Sequence, residues 1–171
     1  MLITELKREE CLELVARSHL ARLACTQAKQ PYIVPINYVF DQMHLYCFTT
    51  LGQKVEWMRA NPMVCVEIDD IVHNRQWESV IATGRYEEMQ ESPGRETAIE
   101  HAWSLLQGRP NWWEPGYVKT VVGDTERPLE PIFFRISLGR ITGHRAAADV
   151  DGPSARSGLS GFAHGLFGRG N

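Results

Sequence analysis

Three apolar, strand-like runs follow one another too closely to form a parallel sheet. LARLACTQ (20–27), PYIVPINYVF (31–40) and MHLYCFT (43–49) are separated only by AKQ and DQ. A parallel pair needs a crossover of a dozen or more residues, whereas such short connections suit antiparallel hairpins. Further runs at MVCVEID (63–69), WESVIATGRYEE (77–88) and PIFFRISLGRIT (131–142) extend the set. In the second of these, Trp77, Ser79, Ile81 and Thr83 share one face. In the last, Gly139 marks a bulge.

Helical signals punctuate the strands. Thr4 is placed to cap a helix running to about Arg17, with Glu9 and Glu10 early and Cys11, Leu14 and Val15 on one face. A second helix runs from Gln53 to Asn61, because a residue that precedes proline avoids the helical region. Ser92-Pro93 opens a third, with the apolar stripe Ala98, Ala102, Leu105 and Leu106, and Gly108 and Pro110 stop it after Gln107. The order is helix, three strands, helix, two strands, helix, strand. It predicts a mainly β chain, a closed antiparallel sheet with flanking helices that forms a small barrel.

This barrel domain is expected to occupy residues 1–148. Beyond it, DVDGPSARSGLSGFAHGLFGRGN has six glycines in 23 residues, so 149–171 reads as a flexible Gly/Ser-rich tail. Leu159, Phe162, Ala163, Leu166 and Phe167 keep helical spacing within it. A length of 171 residues suits one domain with a full core. A net charge of -3 leaves no broad basic face for a nucleic-acid backbone. The N-terminus, MLITELKREE, turns charged too soon for a signal peptide, and no apolar run is long enough to span a bilayer. A cytoplasmic protein is expected. Cys11, Cys25, Cys47 and Cys65 lack CxxC spacing, and the strand cysteines read as small buried hydrophobes. The histidines show no HxH or HExxH, so no protein-built metal site is expected.

The stretch FTTLGQKVEWMRANP (48–62) carries the chemistry. A strand ends in two threonines, a glycine follows, and Lys54 falls in the first turn of a helix. Helix N-termini carry partial positive charge and favour acidic side chains, so a cation there is misplaced unless an anion sits between it and the free backbone N–H groups. A solvated lysine is the alternative.

PYIVPINYVFDQMHLYCFTTLGQKVEWMRANPMVCVEID followed by WESVIATGRYEEM resembles the pyridoxamine 5'-phosphate oxidase-like flavoproteins, nearest to the branch of nitroimidazole-resistance proteins. The resemblance covers residues 5 to about 145 and rests on the strand ending in threonines, the G-x-K before a helix closed by Asn-Pro, and the W-x-S-V-x-x-x-G strand. It implies an antiparallel split β-barrel of Greek-key type that binds FMN. Thr49, Thr50, Gln53 and Lys54 would hold the phosphate. Val34, Pro35, Ile36 and Asn37 would run beside the isoalloxazine. Trp77 and Ser79 would touch the ring or the ribityl chain, although Trp77 reads equally well as core packing. Homodimers are implied, with each flavin near the subunit interface. The Trp112-Trp113 pair suits either a pocket cover or a dimer anchor. The second strand has no arginine, and Thr49 stands where many nitroimidazole-resistance proteins place a histidine. The resemblance therefore points to a flavin and not to either substrate.

Three functions follow. The first is an FMN-dependent oxidoreductase acting on a small flat substrate. A reduced nicotinamide is its expected electron donor, although no Rossmann-type glycine fingerprint is present. No catalytic acid or base is singled out, as a flavin enzyme permits. The second is a non-catalytic flavin- or haem-binding split barrel, with His73, His101 and His144 as axial candidates. The third is a deazaflavin-dependent reductase, whose longer cofactor tail would call for more cations than this groove offers.

Overall fold

The computed structural model describes residues 1–89, 96–109, 121–122, 125–126 and 131–147. The elements run β1 (Leu2–Glu5), α1 (Arg8–Arg17), β2 (Leu20–Gln27), β3 (Gln30–Asn37), β4 (Val39–Asp41) and β5 (His44–Thr50). Then come α2 (Gln53–Ala60), β6 (Met63–His73), β7 (Gln76–Met89), α3 (Glu96–Leu106), β8 (Val121–Val122), β9 (Thr125–Glu126) and β10 (Pro131–Ala147). β8 and β9 form a separate two-stranded ladder. The expected helix start at Ser92-Pro93, the Trp112-Trp113 pair and the 149–171 tail lie outside the described residues.

The main sheet is antiparallel, in the order β3-β2-β6-β7-β10-β5-β4, with β1 added to β10. Two of the hairpin turns, Ala28-Lys29 and Gln42-Met43, have positive φ, of 48° and 68° and of 44° and 68°. This mirror-image turn geometry matches the right-handed twist of the flanking strands. Neither turn has a glycine, so each carries some left-handed strain.

The expectation of a closed sheet is corrected. β3 and β4 end the hydrogen-bonded path, and β3 lies against β5 without a ladder between them. The break falls at Tyr38, which also divides the single strand expected over 31–40. Its side chain turns into the core, where its hydroxyl donates to the Val15 carbonyl of α1 at 2.8 Å. Its N–H goes to His19 O at 2.9 Å. The chain corners there, and β3 cannot continue its pairing into β5. The result is a split barrel.

A second correction concerns Thr4, which caps no helix. It lies in β1, opposite Arg145 of β10. The helix begins later, at Arg8, and the residue that caps it is Lys7, whose N–H donates to the Glu10 carboxylate at 2.8 Å. Cys11, Leu14 and Val15 are the face of α1 buried on the sheet, as expected.

Register puts one side of each strand inside. Leu23 pairs with Val66 and Val66 with Ala82, and all three are fully buried. The alternating row, Pro35, Arg22, Glu67 and Ile81, faces outward. Gly84, which ends the W-x-S-V-x-x-x-G run, sits where β7 and β10 press together. A Cβ there would stand 2.5 Å from Ile136 Cγ2 and 2.9 Å from the Ser137 carbonyl oxygen. The β7–β10 register shifts between Leu138 and Ile141, which places the expected bulge at Gly139.

Candidate functional site

α2 is short, so its position depends on what holds it. Val55 and Met58 are its buried face, and Trp57 packs on Tyr32 of β3 with ring centroids 5.4 Å apart. At its C-terminal end, Arg59 forks onto the Glu88 carboxylate of β7 with bonds of 2.8 and 2.7 Å. Asn61, the residue before Pro62, receives the end of the helix through its N–H to Trp57 O and donates its side-chain amide to Thr26 Oγ1 at 2.9 Å. These contacts aim the helix N-terminus at the end of β5.

At that N-terminus, the N–H groups of Val55 and Glu56 both reach Gly52 O, at 2.9 and 3.1 Å. The N–H groups of Gln53 and Lys54 precede the first helical acceptor and have no partner within the helix. Gly52 has extended backbone, and nothing lies within 4 Å of where its Cβ would stand. A ligand can therefore approach the main chain closely there.

A cleft of about 270 Å³ opens in front of this helix end, at the split between β3 and β5. β3 contributes Pro35, Ile36 and Asn37, β5 contributes Cys47, Phe48 and Thr49, and α2 contributes Lys54. Leu20 and Phe134 complete the wall. Thr49 is the buried polar residue among the described residues, 3% exposed. Its hydroxyl makes only a long contact, 3.5 Å to the Thr50 carbonyl. A hydroxyl this buried and this loosely bonded is ready for another partner.

Lys54 is half-buried and has no carboxylate partner among the described residues. Burial pushes its ammonium below the usual lysine range, offset in part by the Cys47 and Cys25 thiols. Those thiols are themselves pushed up by burial, so they do not ionise to neutralise it. A desolvated, unpaired cation beside a buried hydroxyl and two free N–H groups is an incomplete charge arrangement. An anion would complete it.

The structure thus brings five of the sequence-predicted residues to one cleft, Pro35, Ile36, Asn37, Thr49 and Lys54. The two threonines separate. Thr49 pairs with Ile132 on the inward side, whereas Thr50 pairs with Pro131 on the opposite side of the strand. Val34 faces the barrel interior opposite Leu23, and Gln53 is exposed at the helix start. Trp77 and Ser79 do not line this cleft. Ser79 donates to Glu67 at 3.0 Å, and Trp77 lines a second cleft of about 490 Å³. Of the histidines, His73 and His144 are exposed outside both clefts, and His101 is bonded to Asp41 at 3.0 Å. Sequence reasoning missed Leu20, Cys47, Phe48 and Phe134 as wall residues. Phe134 is brought opposite Cys47 by the β5–β10 register, which no local pattern announces.

The second cleft, where β6, β7 and β10 end near α1, is charged differently. Arg17 reaches Asp70 at 2.9 Å and Glu78 at 2.7 Å. Arg145 bonds the same Glu78 and also Glu10, at 3.0 Å. The Arg17 and Arg145 guanidiniums hold the Glu78 carboxyl below its usual range. Every charge in that cluster has a partner.

The pyridoxamine 5'-phosphate oxidase family matches residues 7–145. An uncharacterised protein of Rhizobium meliloti (strain 1021) is 47% identical over 148 residues, which is 86% of this chain and 98% of that protein. The crystal structure of an FAD-binding protein from Mesorhizobium loti is 36% identical, with a TM-score of 0.70, over 86% of this chain and 99% of that one. A candidate 5-nitroimidazole antibiotic resistance protein from Bacteroides thetaiotaomicron shares the fold at 15% identity and a TM-score of 0.60, over 85% of this chain and 89% of that one. The match spans α1, all strands from β2 through β7, and nearly all of β10, so the chain belongs to the pyridoxamine 5'-phosphate oxidase family.

Proposed function

We propose that this protein is a flavoprotein that holds FMN in the cleft at the head of α2, and that it works as an oxidoreductase on a small flat substrate in the cytoplasm. The observation that carries this reading is Lys54, a half-buried cation with no carboxylate partner among the described residues, at a helix N-terminus and beside a buried hydroxyl. The residues present fit a phosphate. Lys54 supplies the charge, Thr49 a hydroxyl, and Gln53 and Lys54 their main-chain N–H groups. Pro35, Ile36 and Asn37 line the way from that point along β3, where Asn37 can orient a polar ring edge. The flavin itself supplies the hydride and electron transfer, with a reduced nicotinamide as donor. Among the described residues the wall offers no carboxylate or imidazole for acid–base work. Its task is binding and orientation.

FAD is the second reading, favoured by the 36% identical protein from Mesorhizobium loti. Mass identification of the cofactor released from the purified protein separates the two. The central test is titration of wild type and Lys54→Ala with FMN and with riboflavin, which lacks the phosphate. Losing a charge-assisted contact of about 1.5–3 kcal/mol weakens FMN about tenfold to a hundredfold. Riboflavin binding should hardly change. Equal weakening of both ligands would mean that Lys54 shapes the pocket without holding a phosphate.

The reading extends to a homodimer. The outward face of the sheet carries Ile33, Ile71 and Ile81, at 64%, 63% and 50% exposure, and a lone subunit would leave them in water. Pro35, Asn37, Trp77 and Ser79 point to this same face. Packing two copies on it gives Trp77 and Ser79 a route to the partner's flavin. Light scattering at micromolar concentration should give twice the chain mass, and a monomer there refutes the dimer.

A further inference from the structure

The cleft also presents a nucleophile that phosphate binding does not use. The chain has four lysines, Lys7, Lys29, Lys54 and Lys119. Lys7 and Lys29 are exposed, whereas Lys54 is half-buried and lines a cleft of about 270 Å³. We propose that Lys54 is a carbonyl-reactive lysine, and that the cofactor-free cleft captures small anionic aldehydes on it as a reversible imine. The proposal shares its cleft with the flavin reading but needs no flavin.

Three features carry it. An amine reacts only as the free base, and an ion pair with a carboxylate would hold it protonated. No such carboxylate stands beside Lys54 among the described residues. Burial disfavours the ammonium further, so more of this amine is free at neutral pH than of a solvated lysine. The anionic end of the aldehyde finds the Thr49 hydroxyl and the N–H groups of Gln53 and Lys54 at the head of α2, while its carbonyl carbon stays within reach of a flexible side chain. The step balances without an oxidant or reductant. The Nζ lone pair forms the N–C bond, the carbonyl π pair moves onto oxygen, and one amine proton passes to it to give a carbinolamine. That hydroxyl then leaves as water with the second amine proton, and a C=N bond remains.

The test uses the full chain, washed free of cofactor, with cyanoborohydride to trap imines as stable secondary amines. Glyoxylate is the anionic probe and propanal the neutral one, and peptide mapping reads each lysine. Glyoxylate should label Lys54 several-fold faster than Lys7 or Lys29, propanal should show less preference, and Lys54→Arg should remove that label alone. Labelling of Lys54 no faster than of Lys7 and Lys29 overturns the proposal, and an equal preference with both probes overturns the anionic class. Saturating FMN separates the two readings. Selective labelling that FMN does not suppress leaves the reactive lysine standing and counts against the flavin site. Lys54-dependent FMN binding without selective labelling does the reverse.

Discussion

At the split between β3 and β5, one ammonium lines a cleft with no carboxylate beside it among the described residues. At the far end of β7, two guanidiniums and three carboxylates line or border a larger cleft, and each is paired. The second cleft has more volume and more charge, yet its electrostatic needs are met within the chain. Arg17 and Arg145 spend their donors on Glu78, Asp70 and Glu10 and tie α1 to the sheet. The first cleft leaves one cation without a carboxylate among the described residues and one buried hydroxyl with only a long contact. Charge density does not mark a ligand site here. On the proposed reading, unneutralised, desolvated charge does.

The two clefts also differ in what their walls belong to. Phe134 closes the first cleft and is part of the barrel core, 1% exposed, with its ring centroid 5.4 Å from that of Tyr86. Phe134→Ala should cost about 3–5 kcal/mol of stability, read by urea unfolding, and weaken FMN along with it. Val72 lines the second cleft but is 65% exposed, so Val72→Ala should stay within about 0.5 kcal/mol. Similar costs for both would show that the first cleft is not built on the core.

Glu78→Gln attacks the second cleft directly. Its carboxylate serves both arginines, but these are 48% and 42% exposed and solvent screens the pairs. We expect a loss of about 1 kcal/mol and no change in FMN affinity. Because Arg17 first and Arg145 second depress the Glu78 carboxyl, its stabilising contribution is complete above the ordinary carboxylate range. It is lost as pH falls through the folded-state value. The gap between wild type and variant should therefore close in acid. A gap that persists there would mean that Glu78 acts through packing and not through charge.

Local chemistry in the sequence revealed much of this, and long-range pairing hid the rest. Asn61-Pro62 ends α2 within a residue of the expected point because the steric rule acts between neighbours. Lys54 at the head of α2 was legible for the same reason. Thr4 misled because Leu2–Glu5 is drawn into a ladder with residues 144–147, and pairing across the whole chain overrides a local cap. The same ladder carries β10 five residues past the expected end at Thr142. The split itself depends on where the Tyr38 side chain goes, which strand-like composition over 31–40 does not reveal. Thr49 and Thr50 look alike in sequence, and only the β5 register decides which one faces the cleft.

A small expected effect is the sharpest test of the contrast, because its sign is unusual. Lys54→Met keeps a long apolar side chain and removes the ammonium. If that charge is unpaired in the free chain, the cofactor-free variant should be more stable than wild type by about 0.3–1 kcal/mol, since a cation near a helix N-terminus is unfavourable even before burial is counted. The advantage should depend on pH. Burial lowers the folded-state value of Lys54 below the ordinary lysine one. Between the two values the unfolded chain holds the proton and the folded chain does not, so wild-type stability rises with pH across that alkaline window. The methionine variant lacks this slope, and its advantage should be full below the window and shrink through it. FMN reverses the order, because a bound phosphate gives the wild-type ammonium its partner and the variant cannot respond. Melting temperatures with and without FMN, at neutral and alkaline pH, read all three effects. A variant less stable than wild type without cofactor at neutral pH would mean that the Lys54 charge is already satisfied within the chain, and the contrast between the clefts would collapse.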